Sequence, residues 1–390
     1  MEKRIENLMD FSQQIYKNSG NGKELYNKYL EDIQAVTPMD VFKIENEQLK
    51  LGLTPKEMLS FVDKLINVFY KSLEEYPWEK PESGTFLYYL MKENQELKNE
   101  LANFKIIIKK QDYEGNRIII QELLLKLQAY NHHLAKLENI LFPYLEKKRS
   151  RFDGLKIMWS LHDDVRRNLK DLIGEVSDHL YEFDGFNKKI GKLFFGLYGL
   201  VQKQELLLFP VSTEVFDKED FEIMHEQSFE YPFAFIDPPS KRVDHKEEYI
   251  VMNDTEKSII PMETGSLSFE QVELMINTLP VDITFVDVND KVAFFSNPTD
   301  RTFPRSVAII GRDVRNCHPP ESVHIVEAII SDFRNNVKNQ ENFWIQMKGM
   351  FLLIQYFAVR NKKGQYIGTL EVSQEISNIQ KLEGEKRLLD

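Results

Sequence analysis

The stretch KLENILFP, residues 136–143, returns 67 residues later as KQELLLFP, residues 203–210. Lysine, glutamate, leucine, phenylalanine and proline recur in register, a match that chance explains poorly. Around each copy the apolar residues fall at helical spacing. The repeat therefore predicts two helices with matching roles in one helical bundle.

Working outward, four long helical patterns cover roughly 85–110, 117–147, 154–181 and 186–209. They are separated by the short breaks QDYEGN, KKRSRFDG and EFDGFN. Long helices with short connections predict an up-down-up-down four-helix bundle. Ahead of it, TPMD at 37–40 and TPKE at 54–57 each place Thr at an N-cap, Pro at the first helical position and an acid at N3. The helix after the second signal carries Leu59, Val62, Leu65, Ile66 and Phe69 at helical spacing. EEYPWEKPESG, 74–84, marks a boundary.

Beyond 210 the pattern weakens. DKEDFEIMHEQSF reads as one helix and residues 237–258 as an exposed linker. Ser268, with Gln271 three residues on, starts a further helix. Two strands follow around a VND turn, then helical material through 333, then the strands NFWIQMK, MFLLIQYFAVR and QYIGTLEVSQE. The expected domains are 1–78, small and helical; 79–212, the bundle; 213–265, a linker with a partial helix; 266–377, α+β; and 378–390, a tail. The fold class is multidomain, with an all-α N-terminal part and an α+β unit carrying a five-stranded antiparallel sheet.

Bulk composition narrows the function. The 390 residues are 42% hydrophobic and 29% charged, with a net charge of −12. No basic block offers phosphates a surface, which argues against nucleic acid. No apolar run approaches the roughly 18–20 residues of a membrane span. The polar start MEKRIENLMDFSQQ lacks the apolar stretch of a signal peptide, so a cytoplasmic location is expected. A single cysteine, Cys317, excludes an internal disulfide and a cysteine-only metal site.

The strand–helix–strand order from 268 to 377 resembles a PAS sensor domain. LPVDITFVDVNDKVAFFSN matches its opening hairpin, Gly311-Arg312-Asp313-Val314 a step in its central helices, and GTLEVSQEIS its last strand. The bundle, with an acid followed by xxLFP near a helix end in each copy, resembles the hemerythrin-like (HHE cation-binding) family over about 84–212. The whole chain is similar to a bacterial family that fuses an uncharacterised helical domain, such a bundle and a PAS domain.

The second resemblance implies two irons, or other metals, held by histidines and carboxylates from all four helices. A His-x3-Glu pair suits this because residues four apart lie about 40° from each other around a helix. Carried over, the second-helix histidine falls on His133 and its carboxylate on Leu137. Glu138 is one step further and about 140° round an uninterrupted helix. The third-helix histidine is His162. In the fourth helix the histidine position reads Leu200 and the carboxylate position Gln204, with Glu205 one step off. The first-helix Gly-His-Pro reads Gly84-Thr85-Phe86, and a Cys-Asp-x-His step of relatives reads Val62-Asp63-Lys64-Leu65. His133 and His162 share apolar stripes with Tyr130, Leu137 and Ile140, and with Met158, Val165 and Leu169. These residues leave three readings: hydrogen-bonded core histidines, a weaker one-metal site drawing on Glu138 or Glu205, or an intact di-iron centre.

In the PAS-like part, Cys317, His318 and His324 lie within eight residues. The resemblance makes haem a candidate cofactor, with Cys317 or His318 as its ligand. His324 lies opposite the apolar face of its helix and reads as solvated. Iron and haem are thus the two cofactors to test, against an expectation of none.

No P-loop, dinucleotide fingerprint, nucleophile elbow or His-Glu-x-x-His is present, so no enzyme is expected. Nor does an output domain fit in the dozen residues after the last strand. The expected function is a sensory or adaptor protein. It would act through a protein partner or a homodimer made by the PAS part and flanking helices, with a small ligand possible there. The alternatives are oxygen or nitric oxide sensing or iron handling through the bundle, and haem sensing.

Overall fold

The structure, a computed structural model, describes residues 2–17, 22–110, 112–148, 152–178, 183–240, 259–347 and 349–385. The chain divides into two compact units, residues 1–240 with 319–321, and the remainder.

The regular elements described in the first unit are all helices. It opens with α1 (Glu2–Tyr16), α2 (Gly22–Lys28) and α3 (Leu30–Gln34), then α4 (Pro38–Lys50) and α5 (Pro55–Glu74). Both expected capping boxes are present. Thr37 and Asp40, then Thr54 and Glu57, exchange side-chain and backbone hydrogen bonds, with Pro at the first turn. Each cap satisfies donors that a helix start would otherwise expose, an effect of about 1 kcal/mol. Val62, Leu65, Ile66 and Phe69 are buried, as their spacing requires.

The long bundle helices are α6 (Phe86–Ile108) and α10 (Leu155–Ser177). The other two are interrupted. One runs through α7 (Arg117–Leu127), α8 (Tyr130–Lys136), a π-helical turn at Leu137–Leu141, and α9 (Phe142–Lys148). Its counterpart runs through α11 (Phe183–Lys203), a π-helical turn at Gln204–Leu208, and α12 (Phe209–Val215). The π turns fall at the same place in the two copies of the repeat. Proline supplies the reason. Pro143 and Pro210 have no N–H, and their rings clash with the carbonyl four residues back. Widening the preceding turn relieves this: Phe142 N–H donates to Leu137 O and Phe209 N–H to Gln204 O, five residues apart. An extra residue in the turn changes which side chains face inward.

Helix α13 (Lys218–Ser228) follows, started by an Asp217–Asp220 capping box, and packs on α6. Residues 229–240 then lie along the bundle, with Tyr231 and Ala234 buried. One continuous apolar core runs from Leu8 in α1 to Tyr231, so the N-terminal helices and the bundle share their interior. Of the linker expected over 237–258, the part from 241 onward lies outside the described residues.

The first described element of the second unit is a hairpin, β1 (Ile259–Met262) and β2 (Gly265–Ser268), which the sequence pattern did not reveal. Ser268 and Gln271 form the expected capping box of α14 (Phe269–Thr278). The sheet strands are β3 (Asp282–Asp287), β4 (Val292–Phe295), β5 (Gln340–Met347), β6 (Met350–Arg360) and β7 (Tyr366–Glu375). Their order is β4-β3-β7-β6-β5, antiparallel throughout. α15 (Val323–Arg334) turns Ile330 and Phe333 inward, and Ile330 joins Val286 and Val314 in a small apolar core. The Gly-Arg-Asp-Val step has a structural cause. Gly311 takes φ +81° and donates to Val292 O at 2.7 Å, Arg312 is buried, Asp313 caps the next 3-10 turn, and Val314 enters the core. Asp290, at φ +63° in the hairpin turn, holds Arg315 at 2.9 Å and Arg334 at 2.5 Å.

Candidate functional site in the polar core of the bundle

Between the bundle helices, polar side chains replace the leucines and phenylalanines that line the rest of the core. Glu93 and Asn94 lie on the buried stripe of α6 between Leu90 and Leu97, and both are fully buried. His133 Nδ1 lies 2.8 Å from Glu93 Oε2, and its Nε2 lies 2.9 Å from Gln204 Oε1. Lys136, one turn along α8 and 1% exposed, pairs with Glu93 Oε1. Asn94 donates to Gln204 Oε1 at 2.8 Å, Tyr130 donates to Asn94 Oδ1 at 2.8 Å, and Tyr130 stacks on His133 at 4.5 Å between ring centres.

Segment 229–240 closes this cluster. Ala234 N–H donates to Glu93 Oε1 at 2.8 Å, the Phe233 ring lies 4.1 Å from the Lys136 ammonium, and Phe235 stacks over Tyr130 at φ +63°. A left-handed phenylalanine is costly, on the order of 1–3 kcal/mol, and is held only by surrounding contacts.

A second cluster repeats the logic. His162 Nδ1 lies 2.7 Å from Glu138 Oε1. Arg166, one turn along α10, grips both Glu138 oxygens at 2.8 Å. In each case a carboxylate from one helical segment is held by a histidine and a cation one turn apart on its neighbour. Residues three or four apart share a helix face, which permits the grip.

The electrostatics follow. Burial pushes the Glu138 carboxyl up, but Arg166 and His162 outweigh it and hold it at about 2. Burial likewise opposes ionisation of Glu93, and His133 and Lys136 together bring it below the usual carboxylate range. Burial pushes His162 down, against Glu138. Its Nε2 is buried with no hydrogen-bond partner among the described residues.

The sequence-predicted ligands thus divide. His133, His162 and Glu138 are brought into the core. Glu138 faces His162 rather than His133, and the π turn makes the uninterrupted-helix angle inapplicable there. Glu205 is half-buried, paired with Lys98 at 3.0 Å, while Gln204 takes the inward position. Leu137 and Leu200 are fully buried and apolar. Sequence reasoning missed Glu93, Lys136, Arg166 and Asn94. The signals were polar residues on the α6 stripe and the one-turn spacings His133-x2-Lys136 and His162-x3-Arg166.

These residues do not fit a pair of metal ions. His133 has both ring nitrogens engaged, both carboxylates already hold side-chain cations, and among His133, His162, Glu93 and Glu138 the His162 Nε2 is the one unpartnered ligand atom. Among the described residues no group of three or more His, Cys, Asp or Glu could hold a metal ion.

In the second unit, Cys317 ends a 3-10 turn and is half-buried, its Sγ 3.6 Å from Asp313 O. His318 is next in chain, and burial pushes it down with Glu371 opposing. His324 is exposed. No helix among the described residues is long and apolar enough to cross a membrane.

Comparison with known proteins finds two family matches. The hemerythrin HHE cation binding domain family matches residues 85–211, and a PAS domain family matches 272–377. Curated proteins gave no match. Among solved structures, a C-terminal domain from Streptococcus mutans is 32% identical over 33% of this chain and 99% of its own, with a TM-score of 0.32. A PAS domain from Colwellia psychrerythraea is 18% identical over 28% of this chain and 97% of its own, with a TM-score of 0.23. The PAS domain of BvgS from Bordetella pertussis is 14% identical over 28% and 85%, with a TM-score of 0.24. Both families are sensing or binding modules rather than catalysts. The chain therefore carries a hemerythrin-like HHE domain and, C-terminal to it, a PAS domain.

Proposed function

We propose that the chain is a cytoplasmic sensory or adaptor protein in which the hemerythrin-like bundle serves as a metal-depleted scaffold coupled to the PAS domain. One observation carries the reading: Lys136 and Arg166 occupy the two buried carboxylates that a metal pair would need. The functional segments are 1–78, 79–212 and 266–377. Signal passes to a protein partner or a second copy through the PAS domain and its flanking helix. Exposed Phe269, Leu274 and Met275 on α14, and Phe294 and Trp344 on the sheet, support that role. The metal-dependent reading has one observation in its favour, the unpartnered Nε2 of His162.

The test is bound metal and the visible spectrum of protein purified without oxygen. Wild type is compared with His133→Ala/His162→Ala and with Cys317→Ala. A colourless protein without stoichiometric metal is expected. Iron lost with the two histidines would overturn the reading in favour of metal-dependent sensing. A haem-like band lost with Cys317 would move the chemistry into the PAS domain.

A further inference from the structure

We infer that Lys136 and Arg166 are built-in counter-cations: each supplies a fixed positive charge to one buried carboxylate–histidine pair, so the core neutralises its own anions and holds its fold without a divalent ion. The inference rests on the metal-depleted reading and says what replaced the metal.

A carboxylate with no access to water either keeps its proton or takes a nearby positive charge, from an ion or from the chain. Glu93 is fully buried and Glu138 nearly so. Their oxygens are filled by the chain itself. Glu93 Oε1 receives Lys136 and the Ala234 N–H, and Oε2 faces His133. Glu138 Oε1 receives His162 and Arg166, and Oε2 the second arm of the same guanidinium. The planar fork of arginine matches a carboxylate bidentately, which lysine cannot do. A divalent ion entering either pair would have to expel an ammonium or a guanidinium. On the Lys136 side it would also have to displace the Phe233 ring and the Ala234 donor.

The two pairs have the same plan on different elements. In each the histidine precedes its cation by one helical turn, so the grip tilts the carboxylate towards that face. Removing one member of a buried pair leaves an uncompensated charge, whereas removing both does not. That asymmetry separates a counter-cation from a lysine or arginine that merely packs.

The experiment uses the full-length chain and thermal unfolding of wild type, Lys136→Met, Arg166→Met, Glu93→Gln/Lys136→Met and Glu138→Gln/Arg166→Met, each with EDTA and with Co2+. Wild type is expected to take up no stoichiometric Co2+ and to show the same Tm in both. Each single variant is expected to lose Tm on the order of 10 °C, and each neutral double variant to regain most of it. Should a single variant fail to fold, folding of its double variant reads the same compensation. Failure of both, or doubles no more stable than singles, would overturn the inference while leaving the metal-depleted reading intact. Stoichiometric Co2+ in wild type, or a Tm lowered by EDTA, would sink both.

Discussion

Replacing Glu45 by Gln will make the helical unit less sensitive to alkaline pH. Glu45 lies on α4, 6% exposed, against the start of α10. A Cβ at Gly154 would stand 2.5 Å from its Oε2. The Lys203 ammonium that could pair with it is committed to Asp63. Burial therefore pushes the Glu45 carboxyl up to about 8, with Lys203 opposing only in part. Between the ordinary value of 4.5 and about 8 the folded chain keeps a proton that the unfolded chain releases. Stability then falls as pH rises, and the loss is complete above pH 8. Over that interval it amounts to roughly 5 kcal/mol as an upper bound. Glutamine cannot ionise, so the variant should lack this part of the loss and be the more stable protein at pH 9. The assay is the urea midpoint followed by helical circular dichroism, from pH 5 to pH 9, for both proteins. Parallel pH profiles would refute the reasoning. A variant destabilised equally at every pH would show instead that Glu45 is ionised and paired with Lys203.

Gly154→Ala should cost about 1–3 kcal/mol, because its methyl collides with Glu45 and disturbs the Gly154 N–H to Asn46 hydrogen bond of 2.9 Å; the same urea assay reads it. Gly311→Ala should destabilise the PAS unit by about 1 kcal/mol or more, since φ +81° is unfavourable for a side chain; loss of amide protection in β4 checks this. Tyr130→Phe removes the hydroxyl joining Asn94 and Gln204, and should cost about 1–3 kcal/mol with no change in metal content, read by unfolding and elemental analysis together.

Much of the architecture was legible because it rests on local signals. Thr37, Thr54 and Ser268 each announced a helix start through a cap and its partner three residues on, and each forms that box. The stripe Tyr130, Leu137, Ile140 and the stripe Met158, Val165, Leu169 are buried as helical periodicity requires. The β1–β2 hairpin was not legible. Its exposed strands carry no alternation of buried and open positions to read.

The core was only half visible. His133 and His162 stood out as polar residues on apolar faces. Their partners did not, because Glu93 lies 40 residues from His133 and Glu138 lies 24 from His162. No spacing rule within one helix reports such a pairing.

By itself the sequence determined that four long helices would pack as a bundle, that a PAS-like sheet would follow, and that the repeated eight residues mark equivalent places. Those features depend on period, caps and proline, which act within a few residues. Only the tertiary structure decided what the repeat does. Proline widens the turn before it in both copies, yet one copy turns Glu138 inward to His162 and Arg166. The other turns Gln204 inward and leaves Glu205 with Lys98. Which oxygen meets which cation depends on how neighbouring helices stand against one another. A buried charge settles where a partner from elsewhere in the chain can neutralise it.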